Sequence, residues 1–262
     1  MKKYLSVFAL PARRTLPRLL LILIAMAAVQ IALFSAALTK AVDAGGDFPL
    51  LEDVVADSRI AWILGAALLL CMAVLCSVFG KKASVLSAYT TCRLPVGEPA
   101  FYWGQALYNC CALLILLGAE IASVLVMVSL YDKEAALAGA SQHLVFLGFY
   151  QSTLLHGLLP LADTLIHVEN LCMLLALGLS AARFAKMQSR GKFDMAAPFA
   201  VIVAGLTFCG RFGYDGSVTR ILLIALPIIA VVSALSISKG GTLDEEETHV
   251  AAGDGEKLAP QD

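Results

Sequence analysis

Residues 106–130 read ALYNCCALLILLGAEIASVLVMVSL, an apolar run that holds a single charge, Glu120. A helix needs about 20 mainly apolar residues to cross a hydrocarbon core of about 30 Å, because it rises about 1.5 Å per residue. The run therefore predicts a transmembrane helix with one carboxylate near its middle. At about 100° per residue, Gln105, Asn109, Glu120 and Ser123 fall within an arc of about 60°. Trp103, Leu107, Leu114, Leu117, Ile121, Leu125 and Val128 take the opposite side. The helix is expected to turn one face to lipid and the other to a bundle.

Working outward, comparable runs occur at 19–38, 60–79 and 164–182, with shorter ones at 195–210 and 221–237. Six crossings make the chain an all-α, polytopic membrane helix bundle. Residues 144–162 are long enough for a seventh, but they carry Gln151, Ser152, Thr153, His156 and Pro160. Only Asp163 parts them from the next run, which leaves no room for a turn. They are read as an external interfacial or re-entrant helix.

Composition agrees with this reading. Of 262 residues, 60% are hydrophobic and 15% charged, with net charge −1 and mean hydropathy +0.83. Soluble domains run at roughly 45–50% apolar and about 25% charged. These values exclude a soluble enzyme, a nucleic-acid binder and a disordered scaffold. Basic residues collect on one side of a six-span arrangement. Lys2, Lys3, Arg13, Arg14, Arg18, Lys81, Lys82, Arg93, Arg183, Lys186, Arg190, Lys192, Lys239 and Lys257 share it, against Lys40, Arg59, Lys133, Arg211 and Arg220 opposite. The positive-inside rule then puts both termini in the cytoplasm, with the plasma membrane as the location.

Three regions follow: a basic interfacial helix over 1–18, a membrane domain over 19–238, and an acidic, apolar-poor tail over 239–262 that reads as disordered. Within the membrane domain, 80–103 is a cytoplasmic loop and 131–163 an external segment. Six cysteines, Cys71, Cys76, Cys110, Cys111, Cys172 and Cys209, lie in apolar runs, and Cys92 lies in the 80–103 loop, so reduced thiols are expected. Gly178 with Ala181 and Ala182, and Gly65 with Ala66, permit close helix contact.

Chemistry-bearing motifs are scarce. The sequence has no GxxxxGK[ST] phosphate loop, no HExxH zinc pair and no GxSxG nucleophile elbow. No catalytic, metal or cofactor site is expected. His156, His167, Asp163 and Glu169 are too generically spaced to read as metal ligands. A second polar stripe, Asp163, His167 and Asn170, opens the 164–182 run, with Glu169 pointing elsewhere toward the headgroups. Both stripes have two readings: a polar translocation path, or hydrogen bonds that only hold helices together.

The loop 80–103 reads GKKASVLSAYTTCRLPVGEPAFYW, and GQAL follows. Residues 83–91 suit a short amphipathic helix, which Pro95 ends, and Pro99 suits an early position of the next helix. This stretch resembles the permease subunits of type-2 ATP-binding-cassette exporters. Those carry a short helix, a Leu-Pro-Val pattern, polar residues and then a Gly-Lys opening the third span. Leu94, Pro95 and Val96 match, followed by Glu98, and then Gly104 with Gln105 in place of the lysine. The resemblance implies a coupling loop in which Ser87, Tyr89, Thr90, Arg93, Leu94, Pro95 and Glu98 meet a separate ATPase subunit. It also implies a homodimer or paired permease that moves an amphipathic compound such as a peptide, drug or lipid. Two other functions fit the residues: a membrane interaction or assembly protein without transport, and a proton-coupled secondary transporter using Glu120. No nucleic-acid partner is expected.

Overall fold

A computed structural model describes residues 2–45, 48–77, 98–139, 143–159, 164–189 and 195–208, together with 228, 231 and 232, and the regular elements among them are all helices. They are α1 (Lys2–Asp43), α2 (Leu51–Asp57), α3 (Ile60–Cys76), α4 (Glu98–Leu137), α5 (His143–Gln151), α6 (Thr153–Leu158), α7 (Thr164–Ser189) and α8 (Ala196–Phe208). Three stretches, Pro11–Asp43, Ala100–Leu137 and Leu165–Gln188, are long and apolar enough to cross a membrane. A fourth crossing results if α2 and α3, bent 50° to one another, count as one. Leu21 and Ile24 on α1 are about 70% exposed, and Leu107 on α4 is 61% exposed. Apolar surface on that scale costs about 25 cal/mol per Å² in water, and lipid removes the cost. The chain is membrane-embedded.

Two contacts fix how α1 meets α4. The Thr15 and Tyr108 hydroxyls bond one another, and Ser123 Oγ bonds Gln30 Oε1, both pairs separated by 93 residues. One constant offset means that the two helices run parallel and in register. Packing α4 against α7 gives the opposite sense. Asn109 Nδ2 donates to the Gly178 carbonyl at 3.3 Å, and Lys186 Nζ lies 5.7 Å from the centre of the Tyr102 ring. These helices are antiparallel.

The α4–α7 seam is close because Gly178 has no side chain. A Cβ there would collide with Cys110 Sγ and lie 3.0 Å from the Cys110 backbone nitrogen. Ala181, Ala182 and Ala185 continue the seam with no exposed surface. Around it, Leu113, Leu116, Leu174 and Leu177 join Phe34, Leu64, Leu68 and Met72 in one apolar core.

At the end of the bundle where α1 and α4 finish, short elements fold inward. Arg59 joins α2 to α3 in the left-handed conformation, φ 53°, which lets the chain bend where a continuous helix would run straight. The Tyr131 hydroxyl donates to the Pro49 carbonyl at 2.7 Å, with Phe48 edge-on to its ring at 5.3 Å. A Cβ on Gly148 would lie 2.7 Å from Leu51 Cβ, so α5 sits directly on α2. Between α5 and α6 the chain breaks at Ser152, whose ψ is 115°. The described part of the 144–162 stretch is thus two short helices, each too short to cross.

Several boundaries differ from the sequence reading. The interfacial helix over 1–18 and the run at 19–38 are one helix, α1, which contains Pro11 and Pro17. Each proline removes one backbone donor, and the helix continues past both. The 106–130 run extends from Glu98 to Leu137, because Pro99 sits in the first turn, where its missing donor has no intrahelical partner to lose. Of the shorter runs, 195–210 appears as the 13-residue α8, and 221–237 lies outside the described residues except for 228, 231 and 232. The tail over 239–262 and loop residues 78–97 also lie outside them.

Candidate functional site: a carboxylate enclosed between α1 and α4

The parallel register carries Gln30, in the middle of α1, to the face of α4 that holds Glu120. Gln30 Nε2 donates to Glu120 Oε1 at 3.0 Å and to Oε2 at 2.9 Å. Ser123, one turn further along α4, has two acceptors within reach of its single O–H, Gln30 Oε1 at 2.9 Å and the Glu120 backbone carbonyl at 2.8 Å. Gln30 and Glu120 have no exposed surface, and Ser123 has 2%. The carboxylate is sealed between two helices, and its partners are an amide and, through that amide, a hydroxyl.

The energies show that packing does not account for this carboxylate. Placing an acid at mid-membrane costs roughly 2.5–3.5 kcal/mol on insertion scales. An interhelical hydrogen bond in a membrane returns about 0.6 kcal/mol on average. Two such bonds recover less than half of the cost, so leucines at both 30 and 120 would hold α1 and α4 together at least as well.

The remaining residues of the α4 stripe share this buried face. Gln105 and Asn109 are buried, and Asn109 reaches the Gly178 carbonyl. Asn109 Oδ1 and Gln105 Nε2 have no hydrogen-bond partner among the described residues. Leu113 and Leu116, both buried, lie between this inner polar pair and Glu120, which is about three helical turns beyond Asn109. On the other side of Glu120, an apolar recess of about 10 Å³, room for one water, is lined by Phe34, Val124, Met127 and Leu155 among others. The carboxylate thus has apolar side chains on both sides along the helix axis.

The second stripe is divided by the fold. Asn170 is buried and its Nδ2 donates to the Gly157 carbonyl of α6 at 2.9 Å. His167 is exposed on α7 and leaves the stripe, because α6 covers only the Asn170 side of the helix. Asp163 lies outside the described residues. Glu169 is 2% exposed: α7 is packed on several sides, and the face away from α4 is interior too. Among the coupling-loop residues, Ser87, Tyr89, Thr90, Arg93, Leu94 and Pro95 lie outside the described residues, and Glu98 is the first residue of α4. The described residues contain no group of three or more His, Cys, Asp or Glu able to hold a metal ion. Cys71, Cys76, Cys110, Cys111 and Cys172 are free thiols.

The sequence reading missed Gln30. Its signal was present: between Leu19 and Leu38 the only polar residues are Gln30 and Ser35, and an amide at mid-membrane needs a partner. Which partner is a tertiary fact. Comparison with protein-family models, with curated proteins and with solved structures finds no match.

Proposed function

We propose that the chain is a permease-like subunit of an exporter driven by a separate ATPase, related to the type-2 ATP-binding-cassette permeases and moving an amphipathic peptide, drug or lipid. One observation carries the reading. α4 runs unbroken from Glu98, next to the Leu94-Pro95-Val96 loop, through Gln105 and Asn109 to the Glu120–Gln30 contact. A push on that loop is transmitted along a rigid helix to the point where α1 is held. In this reading the chain crosses the plasma membrane six times with both termini cytoplasmic. It has no catalytic residue or cofactor of its own, and pairs with a second permease.

Co-purification tests the proposal. A tagged full-length chain is expected to retain a phosphate-loop ATPase, and Arg93→Glu to release it. A chain that never retains an ATPase, with Arg93→Glu indistinguishable from wild type, refutes the reading. Labelling of a cysteine introduced beside Arg93 by an impermeant reagent outside intact cells refutes the orientation.

The enclosed carboxylate favours a second reading, a proton-coupled carrier. It is distinguished by uptake that follows a pH gradient without nucleotide and that Glu120→Gln abolishes. Were the polar contacts only structural, as in an assembly protein without transport, neither result would appear.

A further inference from the structure

We propose that Gln30, Glu120 and Ser123 form a proton-binding latch between α1 and α4, in which one proton on Glu120 reverses a complete chain of hydrogen bonds through a half-turn of the Gln30 amide alone. In the arrangement present here, the Ser123 hydroxyl donates to Gln30 Oε1, and Gln30 Nε2 donates to the Glu120 carboxylate. Every donor points toward the acid, which serves as the terminal acceptor. Adding a proton to a carboxylate oxygen forms one O–H bond, breaks no covalent bond within the cluster, and takes the site from charge −1 to zero.

A half-turn of the Gln30 amide then exchanges its oxygen and nitrogen. The amide oxygen comes to the place 2.9–3.0 Å from both Glu120 oxygens and accepts the new O–H. The nitrogen comes to the place 2.9 Å from Ser123 Oγ and donates to it. Ser123 keeps a partner throughout, because its hydroxyl is already 2.8 Å from the Glu120 backbone carbonyl. Each donor is satisfied in both states.

The surroundings bring few other titratable groups among the described residues, the one other buried carboxylate being Glu169 on α7. On α1 the nearest ionisable groups are Arg18 and Lys40, about 18 and 15 Å away along the helix at 1.5 Å per residue. α3 brings only the thiols Cys71 and Cys76, and Tyr108 and Cys110 on α4 lie nearer its other end. His167 on α7 is exposed, and buried Glu169 occupies the side of α7 turned from α4, where Gly178 makes the contact.

Infrared difference spectra of the full-length protein in lipid nanodiscs, acid minus alkaline, test the latch. A carboxylic-acid C=O band is expected that Glu120→Gln deletes. Gln30→Leu should move it to the higher frequency of an acid lacking an acceptor. Ser123→Ala, a milder change, should alter the proton affinity about threefold, the equivalent of one hydrogen bond of this kind. Sodium or potassium at constant pH should leave the band in place. The latch is overturned by a spectrum that Glu120→Gln does not change, by a band indifferent to both Gln30→Leu and Ser123→Ala, or by displacement of the band by an alkali cation. It requires no ATPase, so co-purification and spectroscopy fail independently.

Discussion

Gly178→Ala is the most direct test of the packing that fixes the bundle. A methyl at 178 meets Cys110 Sγ and lies 3.0 and 3.2 Å from the Cys110 backbone nitrogen and Cα. The sulfur can rotate away, but the α4 backbone cannot, so α7 must withdraw by several tenths of an ångström. Overpacking of this kind costs about 1–3 kcal/mol. The withdrawal also stretches the Asn109–Gly178 hydrogen bond, already 3.3 Å, worth about 0.6 kcal/mol in a membrane. Against this, alanine is a better helix former than glycine by up to about 1 kcal/mol. The net expectation is a loss of about 1–2 kcal/mol, read from reversible detergent-induced unfolding in bicelles. Adding Cys110→Ala removes the sulfur from the collision and leaves the backbone contact. The double variant should therefore be more stable than the sum of the two single changes by at least about 0.5 kcal/mol. A Gly178→Ala protein as stable as wild type, or two changes that simply add, would show that α4 and α7 do not meet at this point.

Three further outcomes are expected. Replacing Glu120 and Gln30 together by leucine should stabilise the protein by about 1–2 kcal/mol while abolishing function, since the acid costs more than its bonds return; equal or lower stability in the same unfolding assay contradicts that balance. Tyr131→Phe removes the 2.7 Å bond to the Pro49 carbonyl and should cost about 1 kcal/mol, with greater proteolytic access to the chain around Phe48. Arg59→Gly relieves a left-handed backbone that costs an L-residue roughly 1–2 kcal/mol, so a small rise in thermal stability is expected, and Arg59→Ile should lower it.

The buried face of α4 was legible because burial in a helix follows a period of 3.6 residues. One polar arc containing Gln105, Asn109, Glu120 and Ser123 is a strong signal against a background of leucines. The seam at Gly178 was legible for a related reason, as small side chains mark where helices approach. The stripe on α7 was less so. His167 and Asn170 lie about 60° apart on the helix wheel, and the covering element, α6, is narrower than that. Periodicity also cannot tell a helix packed on one side from one packed on several, so it gave no sign that Glu169 is buried. Helix ends were the least legible feature: Pro99 suits an early helical position, yet the polar residues around it hid that α4 starts at Glu98, and α1 continues past Pro11 and Pro17.

Hydropathy alone determined that lipid surrounds this chain and that helices cross it, since no other arrangement of so few charges is affordable in water. Tertiary structure alone decided that Gln30 answers Glu120. Nothing in a linear pattern relates two residues 90 positions apart; only the parallel register of α1 and α4, fixed by contacts such as Thr15–Tyr108 and Gln30–Ser123, brings an amide to an acid at the same depth.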